Sequence, residues 1–290
     1  MPAMKRIAFV VALFLWLPAS TASAQLLAAK DGPIVYGHHH LYVNSVDQHK
    51  KFWADTLGGT VVTIGTTKRE IVRFPNALVF LNAMAPTGPS KGSTMNHIGF
   101  SVPSLRPVID KLKANGFRMV TADEAPAGIK VENDIGLTSG GDVSGIAYVL
   151  GPDDVKVELV EMKKQTAAIV SHHIHFFGTQ QKEMHDWYVK VFGAKPRAGQ
   201  TGTFITADLP GVGLNFSAAP EPVAGTRGRV IDHIGFEVKN LEEFTKRLTA
   251  QGIKLDRPYT KVDALNISIA FITDPWGTYI ELTEGLDKVN

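Results

Sequence analysis

Residues 231–244 read IDHIGFEVKNLEEF, and this stretch contains the unit from which the chain is built. Ile234, Phe236 and Val238 alternate with His233, Gly235 and Glu237, the period of a strand with one apolar face. Asn240, with Glu243 three residues on, resembles a capping box. Leu241, Phe244 and Leu248 follow at helical spacing, and Gly252 suits the left-handed position after a helix. The same opening recurs as HHHLYV from His38, HIGFSV from His97 and HIHFFG from His173. The intervals are 59, 76 and 60 residues, while His38 to His173 and His97 to His233 span 135 and 136. Two units make a half, and the half occurs twice.

A helix is expected after each opening strand. Ser104 is the expected N-cap of the second, with Leu105, Val108, Ile109 and Leu112 as its stripe. In the third, Met184, Trp187, Tyr188, Val191 and Phe192 precede Gly193; in the first, Val46, Phe52, Trp53 and Leu57 precede Gly58. Short strands follow, such as EIVRF and ALVFLN in the first unit and ISIAFIT and TYIELTE in the fourth. The expected fold is α+β, four βαβββ modules. Extra length near 121–145 reads as an inserted loop able to cover a cleft.

Composition excludes several classes of function. At 290 residues, 44% hydrophobic and 20% charged, the chain can bury a core and suits two domains. No cysteine means no disulfide, thiolate metal site or cysteine nucleophile. A net charge of +2 gives no electrostatic case for nucleic acid or an anionic membrane. Residues 1–24 read as a secretory signal peptide: Lys5 and Arg6, an apolar run from Ile7 to Leu17, Pro18, and Ala22-Ser23-Ala24 as the cleavage site. Its removal leaves 28 basic and 28 acidic side chains. The mature chain is expected to be secreted or periplasmic, with no membrane association after cleavage.

The alternation also sorts the histidines. The apolar face of each opening strand must take the helix, so His38, His97, His173 and His233 look away from it. In the closing strands, Glu158 and Glu281 oppose their apolar neighbours in the same way. One such residue alone would be an ordinary polar side chain, but repetition in four units argues for a site. Taken half by half, the sets are His38, His97 and Glu158, and His173, His233 and Glu281. Two imidazoles and a carboxylate can hold a divalent metal (Fe, Mn, Zn or Ni) and leave positions open for substrate. His39 and His172 fall on the helix side and read as structural. His49 and His185 lie on helices and carry no assigned function.

Histidine opening a strand and glutamate in the last strand resemble the vicinal oxygen chelate (VOC) superfamily. That group includes glyoxalase I, bleomycin and fosfomycin resistance proteins, methylmalonyl-CoA epimerase and the two-domain extradiol dioxygenases. The resemblance rests on IDHIGFEVKNLEEF with DPWGTYIELTE, and on MNHIGFSV with GPDDVKVELVEM, within residues 34–284. It implies two VOC domains, 34–162 and 170–284, joined by a linker at 163–169. Each would have a curved, partly open mixed β-sheet barrel around a metal held by the ligands named above. The family's fourth ligand, Glu or Gln, has only Asn82 and Asn215 as counterparts, which favours a three-ligand site. Glyoxalase I needs glutathione, chiefly a cytosolic thiol, and no histidine stands where extradiol dioxygenases keep their acid–base group.

The expected function is an exported metal-dependent lyase, isomerase or dioxygenase that binds neighbouring oxygens of a small substrate. His40 and His175, two residues after a ligand on the same face, are candidates to orient a ligand or move a proton. Gly99 and Gly235 are expected to leave room for substrate. The alternative is a binding protein of the bleomycin-resistance kind, motivated by Tyr42, Phe177, Trp276 and Tyr279. A homodimer is left open, because units in this superfamily pair within or between chains.

Overall fold

A computed structural model describes residues 26, 29, 34–138, 141–197, 202 and 204–288; the expected signal peptide lies outside the described residues. The first unit comprises β1 (Ile34–Tyr42), α1 (Val46–Lys50), β2 (Thr60–Ile64), β3 (Arg69–Phe74) and β4 (Ala77–Asn82). The second comprises β5 (Met95–Val102), α2 (Leu105–Ala114), β6 (Arg118–Met119), α3 (Thr121–Glu124), β7 (Lys130–Glu132), β8 (Ile135–Leu137), β9 (Gly145–Leu150) and β10 (Lys156–Glu161). The third comprises β11 (Val170–Gly178), α4 (Gln181–Phe192), β12 (Lys195–Pro196), β13 (Phe204–Leu209) and β14 (Val212–Ala218). The fourth comprises β15 (Ile231–Val238), α5 (Leu241–Ala250), β16 (Leu255–Val262), β17 (Ile267–Thr273) and β18 (Tyr279–Glu284). The insertion at 121–145 thus supplies α3 and the β7–β8 hairpin, which extends the sheet beyond β9.

These strands form two mixed sheets, neither closed into a barrel. One runs β16-β17-β18-β15-β1-β4-β3-β2, and the other runs β12-β13-β14-β11-β5-β10-β9-β8-β7. Each sheet therefore takes one unit from each half of the chain: first with fourth, second with third. At their centres β1 pairs antiparallel with β15, and β5 with β11. The stretch 163–169 is a crossover within one sheet, carrying the chain from β10 across β5 to β11. Two strand spacings are about 10 Å, well within reach of seven residues. Gln165 holds it in place: Ser101 Oγ donates to its Oε1 at 2.6 Å, and its Nε2 donates to Ser101 O at 3.0 Å.

The helix-side faces of both sheets share one core. Trp53 and Phe74 meet Phe100 between units one and two, and Phe192 meets Phe236 between units three and four. After α1 the helix widens over Lys51–Thr56, and Leu57 N donates to Phe52 O five residues back at 3.0 Å. That wider winding is how Phe52 and Trp53, six and seven residues after Val46, both become fully buried. Matched ties join α1 and α4 to the turn of the next unit. His49 Nε2 meets Asp153 Oδ2 at 3.1 Å, and Tyr188 Oη donates to Asp274 Oδ2 at 3.1 Å.

The helix starts differ from expectation. Asn240 sits in the left-handed region at φ 54° and makes no side-chain cap, and neither does Ser104. Instead the glutamate three residues after each candidate ligand reaches over. Glu161 Oε2 accepts from Leu105 N at 2.9 Å, and Glu284 accepts from Asn240 N and Leu241 N at 3.2 and 3.1 Å. In ELVE and ELTE the odd spacing turns the second carboxylate to the opposite face, toward the positive helix end. Among the described residues, no helix is long and apolar enough to cross a membrane.

Candidate metal centres

Strand pairing brings two groups of side chains together, one on each sheet. His38, His40, His233 and Glu281 each offer a ligand atom, all within 4.8 Å of one another; so do His97, Glu158, His173 and His175. All six expected ligands are in these groups, but the expected sets are not. Units pair one with four and two with three, so His38 joins His233 and Glu281, while His173 joins His97 and Glu158. Each group also holds a third histidine, His40 or His175, where a three-ligand site was expected.

In the first-sheet cluster Glu281 Oε2 lies 2.9 Å from His38 Nε2, 3.1 Å from His233 Nε2 and 3.5 Å from His40 Nε2. In the second-sheet cluster Glu158 Oε2 lies 2.8 Å from His97 Nε2 and 3.1 Å from His173 Nε2, and His175 Nδ1 lies 3.1 Å from His97 Nε2. Gly235 and Gly99 make this possible. A Cβ on either would run into the ring of His38 or His173, so these glycines leave room for the ligands' own rings rather than for substrate.

The outer ring nitrogens of His97 and His233 are held as a metal site requires. His97 donates Nδ1–H to Asn96 Oδ1 at 2.9 Å, and His233 donates Nδ1–H to Asp232 Oδ1 at 2.6 Å. That leaves the Nε2 lone pair of each ring facing the carboxylate. His175 Nε2 is paired with Ser217 Oγ at 2.8 Å, and His173 Nδ1 with His172 Nδ1 at 2.8 Å. His38 Nδ1 is buried without a partner, since Gly37 stands where the other sheet has His172. His39 occupies the place of Ile174 on the helix side, hydrogen-bonded to Tyr36.

Electrostatics agree with a cation site. Burial alone would raise the Glu158 and Glu281 carboxyls, but the histidines outweigh it and hold both well below the usual carboxylate range. Burial pushes His97 down to about 4, beyond what Glu158 returns, and lowers His175 strongly. At His233 burial opposes the proton, but Asp232 and Glu281 together raise it. Where the ring is neutral, as at His97, its lone pair faces the Glu158 carboxylate, acceptor against acceptor, and a cation between them removes that repulsion. The donor set fits a divalent metal of the borderline class.

The surroundings differ. The second-sheet cluster opens on a cavity of about 840 Å³. His97, Glu158 and His175 form its floor, with Tyr148, Phe177 and Phe204 among its walls. The inserted segment contributes Glu124, whose carboxylate takes the Lys156 ammonium at 2.7 Å; that ammonium also lies 4.6 Å from the Tyr148 ring centre. Around the first-sheet cluster the matched positions carry other residues. Phe80 replaces Asn215 and Phe271 replaces Tyr148, Tyr279 stands for Lys156, and Asp232 for Asn96. Of the four aromatics singled out from sequence, Phe177 and Tyr279 flank the clusters, while Trp276 bonds Gln180 on the helix side.

The family profile described as Glyoxalase/Bleomycin resistance protein/Dioxygenase superfamily matches residues 35–159 and again 170–282. The chain belongs to this superfamily. Among solved structures, glyoxalase I from Zea mays superposes with a TM-score of 0.67 at 14% identity, over 88% of this chain and 94% of that one. A Bacillus subtilis protein proposed to be a dioxygenase gives 0.63 at 13% identity, over 87% and 86%. At such identities the likeness establishes the shared VOC fold. No curated protein matches the chain.

Proposed function

We propose that the protein is a metal-dependent VOC enzyme that works on a small molecule at the second-sheet cluster. The observation that carries this reading is the coincidence of four inward-turned donors, from His97, Glu158, His173 and His175, with the 840 Å³ cavity above them. A divalent ion held there would supply Lewis acidity to two neighbouring oxygens of a substrate. His38, His40, His233 and Glu281 would hold a second ion. His175 would serve there as a fourth donor through Nδ1 rather than as a proton carrier.

The chain's own groups then have definite tasks. Asn96 and Ser217 hold the outer nitrogens of His97 and His175, keeping the inner ones free of protons. Tyr148 is strongly raised by burial and by the charge and hydrogen bond of Glu158, so its phenol keeps its proton and directs it to that carboxylate at the cavity wall. Phe177, Phe204 and Ile146 exclude water around an apolar substrate body. Whether the chemistry is that of a lyase, isomerase or dioxygenase follows from the substrate.

Metal analysis tests the proposal. Chain purified, stripped with chelator and offered Fe, Mn, Zn and Ni in turn should retain a divalent ion, and His97→Ala or Glu158→Ala should lose it from this cluster. His49→Ala, away from both clusters, should not. Failure to retain any of the four would end this reading. Phe204, 46% exposed at the cavity edge, also suits a receptor that binds without turnover. A screen of catechols, 2-oxoaldehydes and α-acidic carbonyl compounds separates binding from reaction. We propose further that the chain is exported, because residues 1–24 have the signal-peptide pattern; mass spectrometry of the exported protein should find Gln25 at its start.

A further inference from the structure

We propose that the two clusters have divided their work. The second-sheet cluster takes substrate, and the first-sheet cluster holds its cation as a fastener between the first and fourth units. This rests on the reading that both clusters hold metal.

The first observation is space. Where the second-sheet cluster has its cavity, the first sheet is packed with its own side chains. Ile64, Ile71, Phe80, Ile269 and Phe271 belong to one buried apolar group inside it. The His40 ring lies between Phe80 and His233, with ring centres 4.3 and 4.2 Å away and nearly parallel planes. Arg69 closes the outer side of Phe80 at 4.9 Å; Tyr279 stacks on Phe271 at 5.0 Å and is covered by Arg227 at 3.8 Å. The far ends of this sheet are pinned together, with Thr66 N donating to Ala264 O at 3.0 Å. This packing narrows the space for a substrate body, while His40, His233 and Glu281 keep 12, 8 and 8% exposure.

The second observation is chain connectivity. The first-sheet cluster spans 243 residues, from His38 to Glu281, whereas the second-sheet cluster spans 78, from His97 to His175. A cation shared by His38 and Glu281 closes nearly the whole described chain into a loop. Clips on long loops remove the most freedom from the unfolded state. The third observation is the partner of the matched histidine. Asp232, a carboxylate 2.6 Å from His233 Nδ1, would raise the basicity of that ring toward a cation and so reduce the cation's Lewis acidity. Asn96, a neutral amide that also accepts from Lys156 Nζ at 3.3 Å, would not.

The test uses the full mature chain, stripped and reloaded with cobalt(II), with sodium azide as the probe for an open coordination position. Two cobalt ions should bind per chain, and azide should shift only one ion's share of the visible spectrum. His233→Ala and His97→Ala should each bind one ion. His233→Ala should lose most of the cobalt-induced rise in Tm and keep the azide response; His97→Ala should keep most of that rise and lose the response. The inference is overturned if these two patterns exchange or are equal. It is also overturned if azide perturbs both ions of the parent chain, a readout that stands even where a variant fails to fold. One ion per chain, lost in His97→Ala, would overturn the fastener while leaving the proposed function intact. No ion in either cluster would overturn both.

Discussion

The two sheets are the same construction finished in two ways. Both place three histidines and one glutamate around a common point, both seat one imidazole on a glycine, and both cap a helix with the glutamate three residues further on. They differ in what surrounds that point: polar groups and a cavity on the second sheet, stacked rings and guanidinium groups on the first. The strand scaffold therefore fixes the ligand set, while the neighbouring positions decide whether anything else can approach. The same donor geometry can thus stand beside an open cavity or beside packed side chains.

Paired substitutions can break or sharpen this comparison. The largest effect is expected where the sheets agree. A Cβ at Gly99 or Gly235 would collide with the ring of His173 or His38, so Gly99→Ala and Gly235→Ala should each weaken metal binding by on the order of 100-fold at their own cluster only. Isothermal titration with cobalt(II) reads this directly, and equal losses at both clusters would show that they are not independent.

Glu237 and Ser101, matched positions on β15 and β5, should separate the sheets by pH. Burial and the neighbouring Asp287 push the Glu237 carboxyl up to about 7 from 4.5, against opposing bonds from Thr283 and the Gly285 amide. Folded Glu237 thus holds its proton more tightly than the unfolded chain does. Its contribution to stability is full below pH 4.5, falls as pH rises toward 7, and stays lost above that. Glu237→Gln should therefore be more stable than the parent at pH 8 and gain nothing at pH 4, in urea melts; Ser101→Ala should show no such pH dependence.

His172→Ala, which makes the second sheet resemble the first at Gly37, should lower metal affinity at the second-sheet cluster by about 10-fold and leave the first unchanged. The smallest effect belongs to the caps. Glu161→Ala and Glu284→Ala should each cost about 1 kcal/mol, read as a fall in Tm of about 2–4 °C.

Much of this was legible in the sequence. The period-2 alternation around His97 and His233 assigned them to the face away from the helices, and Glu158 and Glu281 followed from the same rule. The grouping was not legible, for a physical reason. HIGFSV and HIGFEV are nearly identical strands, so β1 and β11 could each have paired with either, and alternation sets a face without naming a neighbour. The short crossover at 163–169 made the choice by laying β11 beside β5. The caps were hidden because Glu161 and Glu284 lie 56 and 43 residues from the amides they serve. Gly99 and Gly235 stood out as small residues facing the site, but only the pairing showed that a histidine from the other half occupies the space.

Each candidate metal centre is assembled across the two halves of the chain. Anomalous diffraction from crystals soaked in cobalt(II) tests it most directly. One peak is predicted within bonding distance of His38, His233 and Glu281, and another beside His97, Glu158 and His173. A peak shared by His38 with His97 and Glu158, or by His173 with His233 and Glu281, would contradict the account.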